Sequence, residues 1–195
     1  AVRVDVHRAK ATLGRMKAVV LVEGVSDQVA VETLAARKGR DLAAEGVAVV
    51  PVGGAQAIGR VLRGLDGGVR VAGLCDAGEE AGFRRALERV GLGSGLDRAR
   101  METLGFYVCD ADLEDELIRA VGVDAVERIA EEQGDLRALR TLQKQAAWQG
   151  RDVRDQLRRW LGSGGSRKIR YAQLLVDALD PARVPRPLDG VLAHV

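Results

Sequence analysis

Apolar residues fall into two regimes along the chain. In the first, short runs rich in valine alternate with longer stretches of helical period. The runs Ala18–Val22, Val47–Val52, Val69–Leu74 and Phe106–Cys109 read as buried strands, because they are nearly continuous rather than alternating. Between them Asp27–Arg37, Ala55–Leu65 and Glu79–Val90 carry their apolar residues on one face; Ile58, Val61, Leu62 and Leu65 show this spacing. Strand alternating with helix predicts a parallel sheet covered on both sides. Beyond Cys109 the strands stop. Leu113–Val121, Ala125–Glu132, Leu136–Trp148, Val153–Leu161 and Ile169–Leu179 read as helices, broken at Gly134, Gly150 and the run Gly162-Ser163-Gly164-Gly165-Ser166. Pro181, Pro185 and Pro187 predict an irregular tail before the apolar patch Val191-Leu192-Ala193. The expectation is one α/β domain over residues 1–195, with a sheet core at about 17–110 and a helical annex at about 112–195.

Composition narrows this little. The 195 residues are 47% hydrophobic, enough for a sizeable core, and only 3% aromatic, which argues against a protein that grips single strands mainly by base stacking. Cys75 and Cys109 each close an apolar run and read as buried thiols of a reduced, cytoplasmic protein. Arg3, Asp5, His7, Arg8 and Lys10 interrupt any leader-like stretch, and no apolar run reaches the ~20 residues that span a bilayer. No membrane partner is expected.

Charge is segregated although the net is only +2. From Asp110 to Glu132 nine acids face two arginines, a balance of −7; from Asp135 to Arg170 ten bases face three acids, a balance of +7. An acidic metal site beside a basic nucleic-acid surface fits this, as do two solvated helix faces of opposite sign.

The strand ends sharpen the choice. Ligand sites in open parallel sheets gather at the carboxyl ends of the strands. There the first strand runs into Glu23-Gly24-Val25-Ser26-Asp27, the third into Cys75-Asp76-Ala77-Gly78-Glu79, and the fourth into Asp110-Ala111-Asp112-Leu113-Glu114. Ser26 reads as an N-cap and Asp27 as a first-turn acid, a place where acids are favoured without any function. Three strands delivering carboxylates to one edge would repel unless a cation sits among them. Oxygen donors without zinc-like Cys/His spacing suit Mg²⁺ or Mn²⁺, and a pair of such ions suits phosphodiester cleavage.

These residues resemble the Toprim domain, whose pattern is a Glu after the first strand and an Asp-x-Asp after the third. Val19 to Leu179 is similar to the Toprim half of the overcoming-lysogenization-defect (OLD) nucleases. Glu23-Gly24-Val25-Ser26-Asp27 matches that family's first motif, and Leu113-Glu114 its later Leu-Glu. Lys168 is the match for a basic residue near the last helices. The resemblance implies a DNA endonuclease with Glu23, Asp76 and Lys168 as catalytic residues. It implies Glu23, Asp27, Asp76, Glu79, Asp112 and Glu114 as metal ligands, and Arg167, Lys168 and Arg170 as nucleic-acid contacts. Two departures stand out. Gly78 replaces the second Asp of Asp-x-Asp, with Glu79 one place later. No Gly-x-x-x-x-Gly-Lys-Ser/Thr is present, so no ATP site is expected here. Either the ATPase part that OLD proteins carry lies outside this chain, as a further domain or subunit that would be its partner, or the protein works as a stand-alone Toprim. Gly53–Gly59 reads as a strand-to-helix turn. Two other readings stay open: a Toprim module that has lost catalysis and binds nucleic acid or a partner protein, and a phosphoacceptor signalling domain. His7 and His194 read as bystanders, Trp148 and Trp160 as core, and Tyr171 as packing rather than a nucleophile.

Overall fold

A computed structural model describes residues 16–65 and 68–195 of the chain. Its sheet has four parallel strands, β1 (Ala18–Val22), β2 (Val47–Pro51), β3 (Arg70–Cys75) and β4 (Phe106–Val108), in the order β2-β1-β3-β4. All five residues of β1 are fully buried, as a central strand with both faces covered requires. The parallel four-strand expectation holds. Boundaries shift by a residue or two: β3 includes Cys75, and β4 ends at Val108.

The two-residue period of the strands sorts their side chains into two cores. Ala18, Val20, Val22, Ala72 and Leu74 point to one side, while Val19, Leu21, Cys75, Phe106 and Val108 point to the other. The second core is closed by α3 (Ala55–Gly64), α4 (Glu80–Arg89) and α5 (Arg98–Thr103). Gly73 is required here: it pairs with Phe106 across the sheet, and a Cβ on it would lie 2.6 Å from the Phe106 ring.

The first core is larger, because it also includes the annex. It is built from α1 (Val25–Arg37) and the short α2 (Leu42–Glu45), then α6 (Leu113–Val121), α7 (Val123–Glu132), α8 (Leu136–Gln143), α9 (Val153–Gly162) and α10 (Gly165–Asp177). Helix α10 packs along α1 and also meets α6 and α9, which draws the annex onto the first strand-to-helix turn. Trp160 and Tyr171 meet edge to face inside this core at 5.0 Å. Trp148 lies beyond the end of α8 and is half-buried at the core's margin.

The tail differs from expectation. After a 3-10 turn at Pro181–Arg183, residues Arg186–His194 form α11, which lies against β3 and β4. Pro187 sits in its first turn, where its missing N–H costs nothing. Gly190 lets the helix descend onto Tyr107, whose ring would stand 2.3 Å from a Cβ there. Helices α2 and α5, each a turn or two long, were below the reach of periodicity. The Gly/Ser run is also mostly helical, since only Ser163 and Gly164 separate α9 from α10. No described helix is long and apolar enough to cross a membrane.

Candidate metal centre

The acids identified from the strand ends meet at the carboxyl edge of the sheet. Glu23 directly follows β1, and its Oε1 accepts the backbone N–H of Asp76 at 2.6 Å. That bond ties the ends of β1 and β3 together and puts the two side chains on the same edge. The helix after β1 starts two residues earlier than Ser26 capping would require. Gly24 is the N-cap of α1, Ser26 is buried in the first turn, and Asp27 reaches back to accept the Gly24 N–H at 2.8 Å. Asp27 therefore has a structural task, and it also faces the charges of Lys168 and Asp112.

From the other side, α6 delivers Glu114 and α10 delivers Lys168. Glu114 is 7% exposed, and its carboxylate lies 3.2 Å from the Lys168 Nζ. Asp112 caps α6 through Oδ1, accepting the Asp115 N–H at 2.9 Å, while Oδ2 pairs with Arg158. The two acids beside Glu114 turn elsewhere: Asp115 and Glu116 pair with Arg119, and Glu116 also accepts the Asp110 N–H at 2.9 Å. Successive helical residues differ by about 100° in direction, which is why only one of the three reaches Lys168. Glu79 stands at the N-terminus of α4, near enough to raise the Glu23 pKa electrostatically.

The electrostatics describe negative charge in excess. Burial, reinforced by the charges of Glu23, Asp27, Asp112 and Glu114, pushes the Asp76 carboxyl up to about 8. Burial also raises Glu23, Asp27 and Glu114 above the usual carboxylate range, despite their backbone and lysine partners. Lys168 answers in kind. Burial of its ammonium pulls downward, but Glu114, Asp27 and Asp76 hold it above the ordinary lysine range. One lysine thus faces several carboxylates in a half-buried site.

A hard divalent cation fits this donor set, because every inward group but Lys168 is a carboxylate oxygen. The thiols do not join it. Cys75 belongs to one core and Cys109 to the other, and burial pushes both pKa values up, keeping them protonated. Among the described residues no three candidate ligands converge as a ready-made cage. Glu23, Asp27, Asp112 and Glu114 are each held by an internal partner, so binding an ion would mean exchanging some of these partners. Among the described residues Asp76 is held by no such partner.

The predicted nucleic-acid residues are placed less uniformly. Lys168 points into the acids. Arg167 lies over the Trp160 ring at 4.8 Å and donates to the Trp160 carbonyl at 3.0 Å, and Arg170 pairs with Asp135, which also accepts the Tyr171 hydroxyl. Half of the ten bases between Asp135 and Arg170 are in ion pairs: Arg140, Arg154, Arg158, Lys168 and Arg170. Arg158 was missed as a neighbour of the site, since only folding brings α9 beside Asp112. His194 packs against Gly105 in α11, and His7 lies outside the described residues.

Comparison with known proteins bears on the fold. Residues 16–77 match the overcoming lysogenization defect protein-like Toprim domain. No curated protein matches the chain. Among solved structures, the C-terminal region of the Xanthomonas campestris pv. campestris OLD protein is similar at 24% identity, with 92% of each chain covered and a TM-score of 0.72. The C-terminal region of the Burkholderia pseudomallei OLD protein is similar at 16% identity, over 92% of this chain and 96% of that one, with a TM-score of 0.69. At these identities the likeness is one of fold.

Proposed function

We propose, from a chain whose residues 16–77 carry the OLD-like Toprim signature and whose fold is that of OLD C-terminal regions, that this protein is a metal-dependent endonuclease or nickase acting on DNA in the cytoplasm. The supporting observation is the gathering of Glu23, Asp27, Asp76 and Glu114 around Lys168 from three separate segments, the β1–α1 turn, the end of β3 and α6. Glu23, Asp76 and Glu114 lead the ligand set for Mg²⁺ or Mn²⁺. Asp27 and Glu79 stand behind them, and Asp112 would have to release Arg158 to join. A pair of such ions would activate water and neutralise the leaving oxygen.

The chain's own groups do the rest. The Glu23 bond to the Asp76 N–H fixes the spacing of two ligands before any substrate arrives. Lys168, kept charged by its neighbours, is aimed where negative charge grows on the phosphate oxygens in the transition state. The OLD structures are C-terminal regions of longer proteins, which supports an ATPase part or subunit as partner.

One observation favours a second reading, a weakened module that only binds. Gly78 stands where the second Asp of the motif belongs, and a Cβ there would meet nothing within 4 Å. Supercoiled plasmid incubated with Mn²⁺, Mg²⁺ or EDTA separates the two. The expected result is nicking with metal, none with EDTA, and loss of at least 100-fold in folded Glu23→Ala and Asp76→Ala variants. Wild-type protein that binds DNA without nicking under any metal supports the second reading.

A further inference from the structure

On the side of Asp76 away from the annex, α3 and α4 border a groove of about 570 Å³. Gly78 and Glu79, two and three residues after Asp76, are among its lining, so the groove borders the acid site. Arg63 lines it from α3, and Arg85 and Arg89 line it from α4. Small residues, Gly59, Gly82 and Ala86, keep the channel open between them; a Cβ on Gly59 would lie 3.9 Å from that of Ala86.

All three arginines are exposed, and among the described residues none is in an ion pair. This contrasts with the annex, where half of the bases are neutralised internally. Glu79 is the one acid in the lining, so the groove is net positive. Arg85 and Arg89 lie one helical turn apart on the same face, a rise of about 6 Å along the groove. Over that length one strand of B-DNA advances by about two phosphates. A row of this kind suits a polyanion better than a single phosphate. Another pocket, lined by Asp112, Asp155, Arg151, Arg158 and Arg159 beside Trp148, holds Arg158 in its ion pair with Asp112.

We infer that Arg63, Arg85 and Arg89 bind backbone phosphates of a nucleic acid on the far side of the metal centre from the annex, so that the strand runs through the site and is cut internally. This rests on the nuclease reading for the cut but not for the binding. The ligand chemistry is the phosphodiester backbone, shared by DNA and RNA.

The test is fluorescence anisotropy in EDTA with labelled 30-base-pair DNA, single-stranded DNA and duplex RNA, over a range of salt. Three lost phosphate contacts lower the salt slope on duplex DNA by 2 to 3 units, at about 0.9 per contact. Between 50 and 200 mM salt, the affinity of wild type should therefore fall about 40-fold more than that of Arg63→Ala/Arg85→Ala/Arg89→Ala. Arg128→Ala, on α7 and equally exposed, should keep the wild-type slope. The nucleic acid with the largest slope change identifies the source. An unchanged slope in the triple variant, with its melting temperature unchanged, overturns the inference, as does equal competition by polyglutamate of matched charge. Since EDTA removes catalysis, wild type that nicks plasmid while the triple variant keeps its slope loses the groove alone. Wild type that fails to nick while the slope drops loses only the nuclease.

Discussion

Asp76 gives the sharpest test of the site's electrostatics. Its carboxyl is raised from an ordinary 3.8 to about 8 by burial and by four neighbouring carboxylates. A folded-state pKa above the unfolded value means stability that is complete below about pH 4 and is lost as pH rises toward about 8. Four units would correspond to about 6 kcal/mol at the limit. Partial exposure and the sharing of protons among coupled carboxylates reduce this to about 2–3 kcal/mol. Asp76→Asn removes the charge and leaves the backbone N–H that Glu23 needs. In EDTA the variant should melt roughly 5–10 °C above wild type at pH 9, given about 2–4 °C per kcal/mol for a chain of this size. At pH 5, where Asp76 is protonated in the fold, the gain should shrink below about 1 kcal/mol. Saturating Mn²⁺ should reverse the order at pH 9, because an ion that binds only the folded state raises wild type and not the variant lacking its ligand. A gain that is the same at both pH values, or a loss at pH 9, would refute the claim that uncompensated carboxylates meet here.

Two further predictions separate neighbouring roles. Glu114→Gln should cost nicking activity at least 100-fold, while Glu116→Gln should cost mainly stability, about 1–3 kcal/mol, because Glu116 holds the Asp110 N–H and Arg119. Comparable activity losses at equal folded fraction would show that α6 is misassigned. Lys168→Ala should bind DNA nearly normally in EDTA yet cut at least 10-fold more slowly at saturating DNA, since the lost interaction belongs to the transition state. Wild-type turnover at saturation would reduce Lys168 to a phosphate contact.

Some of this was legible because it is local. Continuous apolar runs report a buried parallel strand whatever lies around them, so the four strands and the edge carrying Glu23, Asp76 and Glu114 could be read directly. The choice of Glu114 over its neighbours came from the Leu113-Glu114 resemblance, and helical geometry with the flanking Leu113 and Leu117 allowed only one of the acids to face the crevice. The tail misled because three prolines read as breakers. Pro187 instead begins a helix, and α11 is stabilised by Tyr107 and by β3 and β4, which lie about 80 to 120 residues earlier. Ser26 was a reasonable cap by residue type, but the helix already begins at Val25, so Ser26 falls inside the first turn, and Asp27 at the third helical position reaches back to the Gly24 N–H.

The sequence by itself determined which residues can be strands, which carboxylates lie at their ends, and that one basic stretch follows one acidic stretch. Only the tertiary structure decided which of those charges meet. The +7 segment looked like a free surface, yet Arg158 is spent on Asp112, Arg170 on Asp135 and Lys168 on Glu114. The arginines of the groove, Arg63, Arg85 and Arg89, which have no ion partner among the described residues, come from helices that drew no attention by composition. The physical reason is range. Hydrogen-bonding period and apolar burial are set by neighbours within a few positions, whereas a Coulomb interaction depends on distance in space, which 20 to 140 residues of intervening chain leave undetermined until the helices pack.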